Sequence, residues 1–195
     1  MTLLGTLLRN QRPHEREHTW NQPHLTAVDT IEITSADFSH GSPLDSRYAG
    51  KRVGGGNVSP HLRWSPPPAG TTELLLVVED LDAPAVSKPP VHCMAIIDPA
   101  GLSTPNELPS GALDKDHPAP GVTLLRSTLG RGYRGPEPLK GHGPHRYVFE
   151  IYALADRLID GPDADGLLKA RPRKLLAAIK ASVVARGRIT GTHQR

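Results

Sequence analysis

Aromatic residues make up only 4% of this 195-residue chain, with two tryptophans, two phenylalanines and four tyrosines. Its core must therefore be largely aliphatic. A single cysteine, Cys93, excludes an internal disulfide and a zinc site held by four thiolates. A reducing cytoplasm suits such sparing use. The apolar start, Met1-Thr-Leu-Leu-Gly-Thr-Leu-Leu8, stops at Arg9. It is too short to span a membrane and lacks the basic flank and small-residue cleavage site of a signal peptide. Charge is also scarce, since 23 Lys and Arg against 20 Asp and Glu leave a net +3. Apart from Arg171-Pro172-Arg173-Lys174 the basic residues are scattered, so the stripe that nucleic acid requires is missing. No Gly-x-Ser-x-Gly nucleophile motif occurs.

What the chain has in quantity is punctuation. Nineteen glycines and twenty prolines predict short strands joined by long loops, hence a mainly β domain. Residues 132 to 144 hold seven of them, Gly132, Gly135, Pro136, Pro138, Gly141, Gly143 and Pro144, ahead of a strand beginning near Arg146. There Tyr147, Phe149 and Ile151 share one face, and Val148, Glu150 and Tyr152 the other. His145 sits where loop meets strand, a place from which a ring nitrogen can be aimed at a ligand. A second strand, Leu74 to Val78, is an apolar run that ends in Asp80, Asp82 and Pro84. In extended chain the two aspartates share a face, so they either share a proton and donate to an anion or cap the turn before Pro84. Both readings stand at this point. Gly54-Gly55-Gly56 with Asn57 and Ser59 reads as a turn capped by side-chain hydrogen bonds rather than a phosphate cradle, since no helix follows.

Elsewhere, residues 27 to 35 and Leu62 to Trp64 are predicted strands, and residues 103 to 120 are loop. Val122 to Leu125 is a short strand or a packing segment. Asp163 or Asp165 would cap a short helix over 166 to 170, and Pro172 would open a second one carrying Leu175, Leu176, Ile179 and Val183 as its buried stripe. Residues 188 to 193 close as a strand. Residues 1–26 are expected to be an arm lying on the domain of residues 27–195 or on a second subunit of a homodimer. Residues 9 to 24 have almost nothing apolar to bury, so the arm should be dispensable for the fold. Its histidines, His14, His18 and His24, are not expected to hold a metal.

Five motifs in a fixed order resemble the phosphatidylethanolamine-binding protein family, especially its bacterial Raf-kinase-inhibitor-like branch. They are Gly-Gly-Asn-Val-Ser-Pro at 55–60, Asp-x-Asp-Ala-Pro at 80–84, His92 opening a strand, Gly-Pro-x-Pro at 135–138 and His-Arg-Tyr at 145–147. The resemblance covers roughly residues 28 to 193. It implies a β-sandwich of two packed antiparallel sheets with two peripheral helices near the C-terminus. It also implies a small pocket for phosphate-like anions or phospholipid headgroups, lined by Asp80, Asp82, Pro84, His92, Gly135, Pro136, His145 and Tyr147, with a cis peptide before Pro84. A cytoplasmic binding protein that regulates or inhibits other proteins is the implied function, with no cofactor, metal ligand or catalytic residue assigned. The alternative is a hydrolytic enzyme using His92, His145 and an aspartate for acid-base or metal chemistry. Four positions depart from the family pattern. Leu81 stands in place of a proline, so Leu81→Pro should be tolerated. Val91 replaces a tryptophan, Leu139 replaces a proline, and Glu137 would oppose an anion if it pointed inward.

Overall fold

The computed structural model describes residues 3–158 and 164–195. In chain order the elements are α1 (Leu3–Leu8), β1 (Asp29–Thr30), β2 (Ile33–Thr34), β3 (Leu62–Trp64), β4 (Glu73–Asp80), β5 (Val91–Ile97), β6 (Glu107–Leu108), β7 (Val122–Leu124), β8 (Arg126–Ser127), β9 (Gly130–Arg131), β10 (His145–Leu154), α2 (Ala164–Lys169), α3 (Pro172–Ala178) and β11 (Val183–His193). Six strands form one sheet in the order β1-β11-β10-β4-β5-β7, and three form a second in the order β2-β3-β6. Within the large sheet the pairs are antiparallel except β1 with β11. The expected mainly β, two-sheet architecture is what forms.

β4 is an unbroken apolar run because both of its faces are covered. Leu74, Leu76 and Val78 join Phe149 and Ile151 against Ile33, Leu62, Trp64 and Leu108 of the smaller sheet. Leu75 and Val77 face the other way, with Met94, Tyr152 and Leu154, toward Leu25 and the α3 residues Leu175 and Leu176. Burying a side chain of this size contributes about 1.5–3 kcal/mol, so the central strands anchor two cores at once. Cys93 lies in the first of them, where burial pushes its thiol up to about 12.

Three sequence expectations change here. The strand expected over residues 27 to 35 is two short pieces in different sheets, because Ile31 and Ile33 are both buried as the chain crosses between them. The helix ends at Ala178, with Ile179 already extended, and Val183 opens β11 opposite Leu154. Leu175, Leu176 and Ile179 are the buried stripe, and Val183 is not part of it. The helix cap expected from Asp163 or Asp165 lies outside what the structure describes.

The third concerns the N-terminal segment. After α1 it turns through three single-turn helices, Glu15–Glu17, Thr19–Asn21 and Pro23–Leu25, across the outer face of the large sheet. Thr19 and Leu25 are wholly buried. The Thr19 hydroxyl donates to Glu79 Oε1 at 2.5 Å and its N–H to Oε2 at 3.0 Å. Arg186 lies 3.9 Å from the Trp20 ring centroid and donates to the Trp20 carbonyl at 2.6 Å. Residues 9 to 24 do bury something: what they supply is a hydroxyl and backbone groups that satisfy charges of the sheet, which an apolar count does not register.

Candidate functional site

The site forms where β4 ends and β10 begins. Register places Tyr147 opposite Asp80, which brings His145 alongside the Asp80 carboxylate. His145 Nδ1 lies 2.8 Å from Asp80 Oδ2, and its Nε2 lies 2.8 Å from His142 Nδ1. His142 Nε2 is 2.8 Å from the Leu8 carbonyl. A carbonyl oxygen can only accept, so His142 carries its proton on Nε2, and a neutral His142 presents Nδ1 as an acceptor. Burial and then the neighbouring His145 lower the His142 pKa, which favours that neutral form. His145 Nε2 then donates to His142, and a single proton lies between its Nδ1 and the Asp80 carboxylate. With Arg12 Nη1 3.1 Å from the protonated His142 Nε2, that contact joins two donors and is not a hydrogen bond.

Tyr147 and His92 complete the cluster. The Tyr147 ring stacks near His145, with centroids 6.4 Å apart, and meets His92 edge-on at 5.2 Å. Its hydroxyl is buried near Asp80, whose carboxylate acts on it by charge and by a loose hydrogen-bond approach, yet among the described residues it has no partner at hydrogen-bond geometry. Burial, then the nearby Asp80 charge, push its phenol far up, but the Asp80 oxygens are engaged by His145 and by Asp82 N–H. Such an unused buried donor costs about 1–3 kcal/mol until something accepts from it. His92 donates from Nδ1 to the Arg134 carbonyl at 2.7 Å, and burial lowers its pKa. In its neutral form it therefore offers Nε2 as an acceptor.

Of the residues singled out in the sequence, Asp80, His92, His145 and Tyr147 come together. The others do not join them as expected. Asp82 turns away from Asp80 and accepts four bonds, two from Arg146 to Oδ2, one from Arg146 to Oδ1 and one from Arg12 Nε to Oδ1 at 2.7 Å. Burial works to raise its pKa, but the Arg146 bonds hold it below the usual range. The shared-proton reading of Asp80 and Asp82 is thus replaced by the turn cap: Asp82 N–H donates to Asp80 Oδ1 at 2.8 Å. The Gly135 N–H is taken by Asn57 Oδ1 at 2.9 Å, so it is not offered to a ligand. A Cβ on Gly135 would collide with the Tyr48 carbonyl, which explains the glycine. The Pro136 carbonyl is held by Gly50 N–H at 3.0 Å. Asn57 and Ser59 do not cap their own turn; Asn57 also donates to the Tyr133 carbonyl, and Ser59 Oγ accepts from Leu113 N–H. The peptide before Pro84 is trans, not cis as the resemblance implies. Glu137 pairs with Arg134 at 3.0 Å. Leu81 N–H donates to the Arg146 carbonyl at 3.0 Å, so proline there would remove a bond, contrary to the expected tolerance.

Arg12, His142 and Arg146 were not foreseen as site residues. The first two sit in glycine- and proline-rich or polar stretches that carry no periodic signal; only the charge of Arg146 next to His145 hinted at a carboxylate partner. A carboxylate pair exists, but on the opposite face of the sheet, formed by Glu79 and Glu150. Arg173 lies 2.6 Å from Glu79, and the Tyr152 hydroxyl donates to Glu150 at 2.6 Å. Burial, then the charge of Glu79, push Glu150 up to about 8. Burial likewise raises Glu79 against the pull of Arg173.

His14-Glu15-Arg16-Glu17-His18 has the His-Glu-x-x-His spacing of zinc hydrolases, which does give the N-terminal histidines a carboxylate at metal-site spacing. That motif needs a helix to bring both rings to one face, and residues 15–17 make only a single tight turn. Among the described residues no group of three His, Cys, Asp or Glu side chains is placed to hold a metal ion. No described helix is long and apolar enough to cross a membrane.

A family model described as phosphatidylethanolamine-binding protein matches residues 34–194. The chain is 31% identical over 175 residues to the UPF0098 protein Rv1910c of Mycobacterium tuberculosis, covering 89% of this chain and 75% of the relative. It is 32% identical over 204 residues to phomoidride biosynthesis cluster protein B of a fungal species, covering 98% and 92%. The crystal structure of Escherichia coli YbcL superposes with a TM-score of 0.69 at 28% identity, over 85% of this chain and 98% of that one.

Proposed function

Because the chain belongs to the phosphatidylethanolamine-binding protein family, a family with a ligand-binding fold, we propose that the pocket of Asp80, His92, His145 and Tyr147 binds a small oxyanion, a phosphate or the phosphate of a lipid headgroup. The observation that carries this reading is the buried Tyr147 hydroxyl without a partner among the described residues, beside the His145 ring, whose Nε2 donates to His142. An oxyanion would accept from both groups. It would take over the Nε2 donor that His145 now gives to His142, exchanging a neutral acceptor for a charged one, and charge-assisted bonds are about twice as strong. Asp80 does not repel it, since its carboxylate shares a proton with His145 Nδ1. His92 Nε2 would accept from a singly protonated phosphate.

Entry requires that His142 yield, together with the N-terminal segment, which holds it through the Leu8 carbonyl and is itself anchored by Arg12 on Asp82. Residues 3–12 therefore act as an internal competitor in this reading, and occupancy of the pocket would govern any regulatory or inhibitory contact with another protein. Phosphoethanolamine titration, followed by calorimetry and by the His145 imidazole resonances, tests it. Tyr147→Phe should weaken binding by about 1.5–3 kcal/mol, the loss expected for a bond to a charged group, and Arg12→Ala should strengthen it. Tyr147→Phe binding as well as wild type, or no response of His145 to ligand, would overturn the proposal.

A further inference from the structure

On the face of β10 opposite His145 and Tyr147, a cleft of about 450 Å³ opens between the N-terminal segment and the sheet, lined by Arg12, Glu15, His18, Asn21, Arg146 and Arg188 among others. Strand alternation puts Arg146 on this side. Its guanidinium and that of Arg12 share one carboxylate, Asp82, whose oxygens already accept four bonds. Arg188 has no hydrogen bond or ion pair among the described residues; it lies over the Trp20 ring, 4.6 Å from the centroid. Stacking fixes its plane and leaves its N–H edge open. His18 Nε2, shut off from solvent, also lacks a partner. Three guanidinium groups, Arg12, Arg146 and Arg188, thus meet the carboxylates of Asp82 and Glu15, while the buried Glu150, cross-strand partner of Arg188, is pushed up to about 8 and so is a weak competitor for it at neutral pH.

We infer that this cleft is a second binding site, for a phosphate group, separate from the Asp80 pocket although Arg12 borders both. The guanidinium fork matches two phosphate oxygens at once, which a surface ammonium does not. Arg188 supplies the open fork, and Arg146 and Arg12 each keep N–H donors beyond those given to Asp82. The polar lining suits a bare phosphate or phosphomonoester rather than an acyl chain, and Glu15 at the rim opposes binding and limits its strength.

Trp20 and Trp64 are the two tryptophans of the chain, and Trp64 is buried against the other sheet, so their indole N–H resonances separate this cleft from the rest of the molecule. Orthophosphate added to the full chain should shift the Trp20 signal saturably and leave Trp64 unmoved. His145→Ala should leave that response intact, whatever becomes of the Asp80 pocket. Arg188→Gln should weaken it about tenfold, as loss of a charge-assisted bond implies. Glu15→Gln, a change at an exposed side chain, should tighten it severalfold. A Trp20 response seen only with phosphatidylcholine vesicles containing phosphatidic acid, and not with orthophosphate, would assign the phosphate to a lipid headgroup. Silence of Trp20 toward both, or unchanged affinity in both Arg188→Gln and Glu15→Gln, would overturn the inference.

Discussion

Glu79 and Asp80 are neighbours on β4, both buried, and they point to opposite faces of one sheet. Their surroundings differ in one respect that matters. Glu79 is closed on every side, by Arg173 at 2.6 Å and by the hydroxyl and N–H of Thr19. Asp80 belongs to a line of contacts that runs out through His145 to His142, beside a hydroxyl that has no partner at hydrogen-bond geometry among the described residues. Burial of a carboxylate is common to both and so marks neither as a binding site. Arg173 Nε and Trp64 Nε1 are likewise buried without a partner among the described residues, so what marks the second is the unspent Tyr147 hydroxyl standing beside the Asp80–His145–His142 line.

The largest effect that sharpens this contrast belongs to the closed side. Arg173→Ala strips the cation from Glu79 and should cost about 3 kcal/mol or more at pH 7, as breaking a buried pair does. At pH 5 the cost should shrink, because burial already raises the Glu79 pKa and the carboxyl can take up a proton. Urea unfolding at the two pH values measures both; equal losses would mean that Glu79 stays charged.

How much of this contrast was legible beforehand follows from what each strand looks like in one dimension. β4 and β10 declare themselves by an apolar run and an alternation, and motif order placed Asp80, His92, His145 and Tyr147 together. Glu150 was not legible, since the alternation gave this strand a single core face on the side of Tyr147, whereas both faces of β10 are buried. Arg12 and His142 gave no sign either, since a lone polar residue in irregular chain carries no period. Thr19 was equally silent: its value lies in a hydroxyl that meets Glu79, and only the fold makes them neighbours. The end of α3 was misjudged because Val183 continues the spacing of Leu175, Leu176 and Ile179 although the backbone has already become extended.

A middle-sized effect belongs to the open side. Leu81→Pro deletes the N–H that reaches the Arg146 carbonyl and should destabilise the protein by about 1–3 kcal/mol. Because Arg146 also holds Asp82, loss of register there would show as weakened phosphoethanolamine binding as well. Full stability of the variant by thermal unfolding would mean that this turn rearranges without cost.

The smallest effect is a pH dependence. The Glu150 carboxyl titrates at about 8 when folded, against an ordinary value of 4.5. Between those values the folded state keeps a proton that the unfolded chain has released, so stability falls as pH rises through the window. Glu150→Gln, which still accepts from Tyr152, should therefore change little at pH 5 and stabilise the protein relative to wild type at pH 9. Melting curves at the two values decide it, and a loss of stability at pH 9 would show that the ionised form is the one the fold requires.

The position of β11 in the large sheet has a consequence for how the molecule is made. It lies between β1 and β10, and among the described strands it is synthesised last. Until residues 183 to 193 leave the ribosome, β10 has an unsatisfied edge along its whole length and β1 has no strand to pair with. The nascent chain must hold that edge away from other chains while its own final strand is still being made, and pairings between such distant segments are slow to form. Slowed translation of residues 183 to 193 should therefore lower the soluble yield, without altering a single contact in the folded protein.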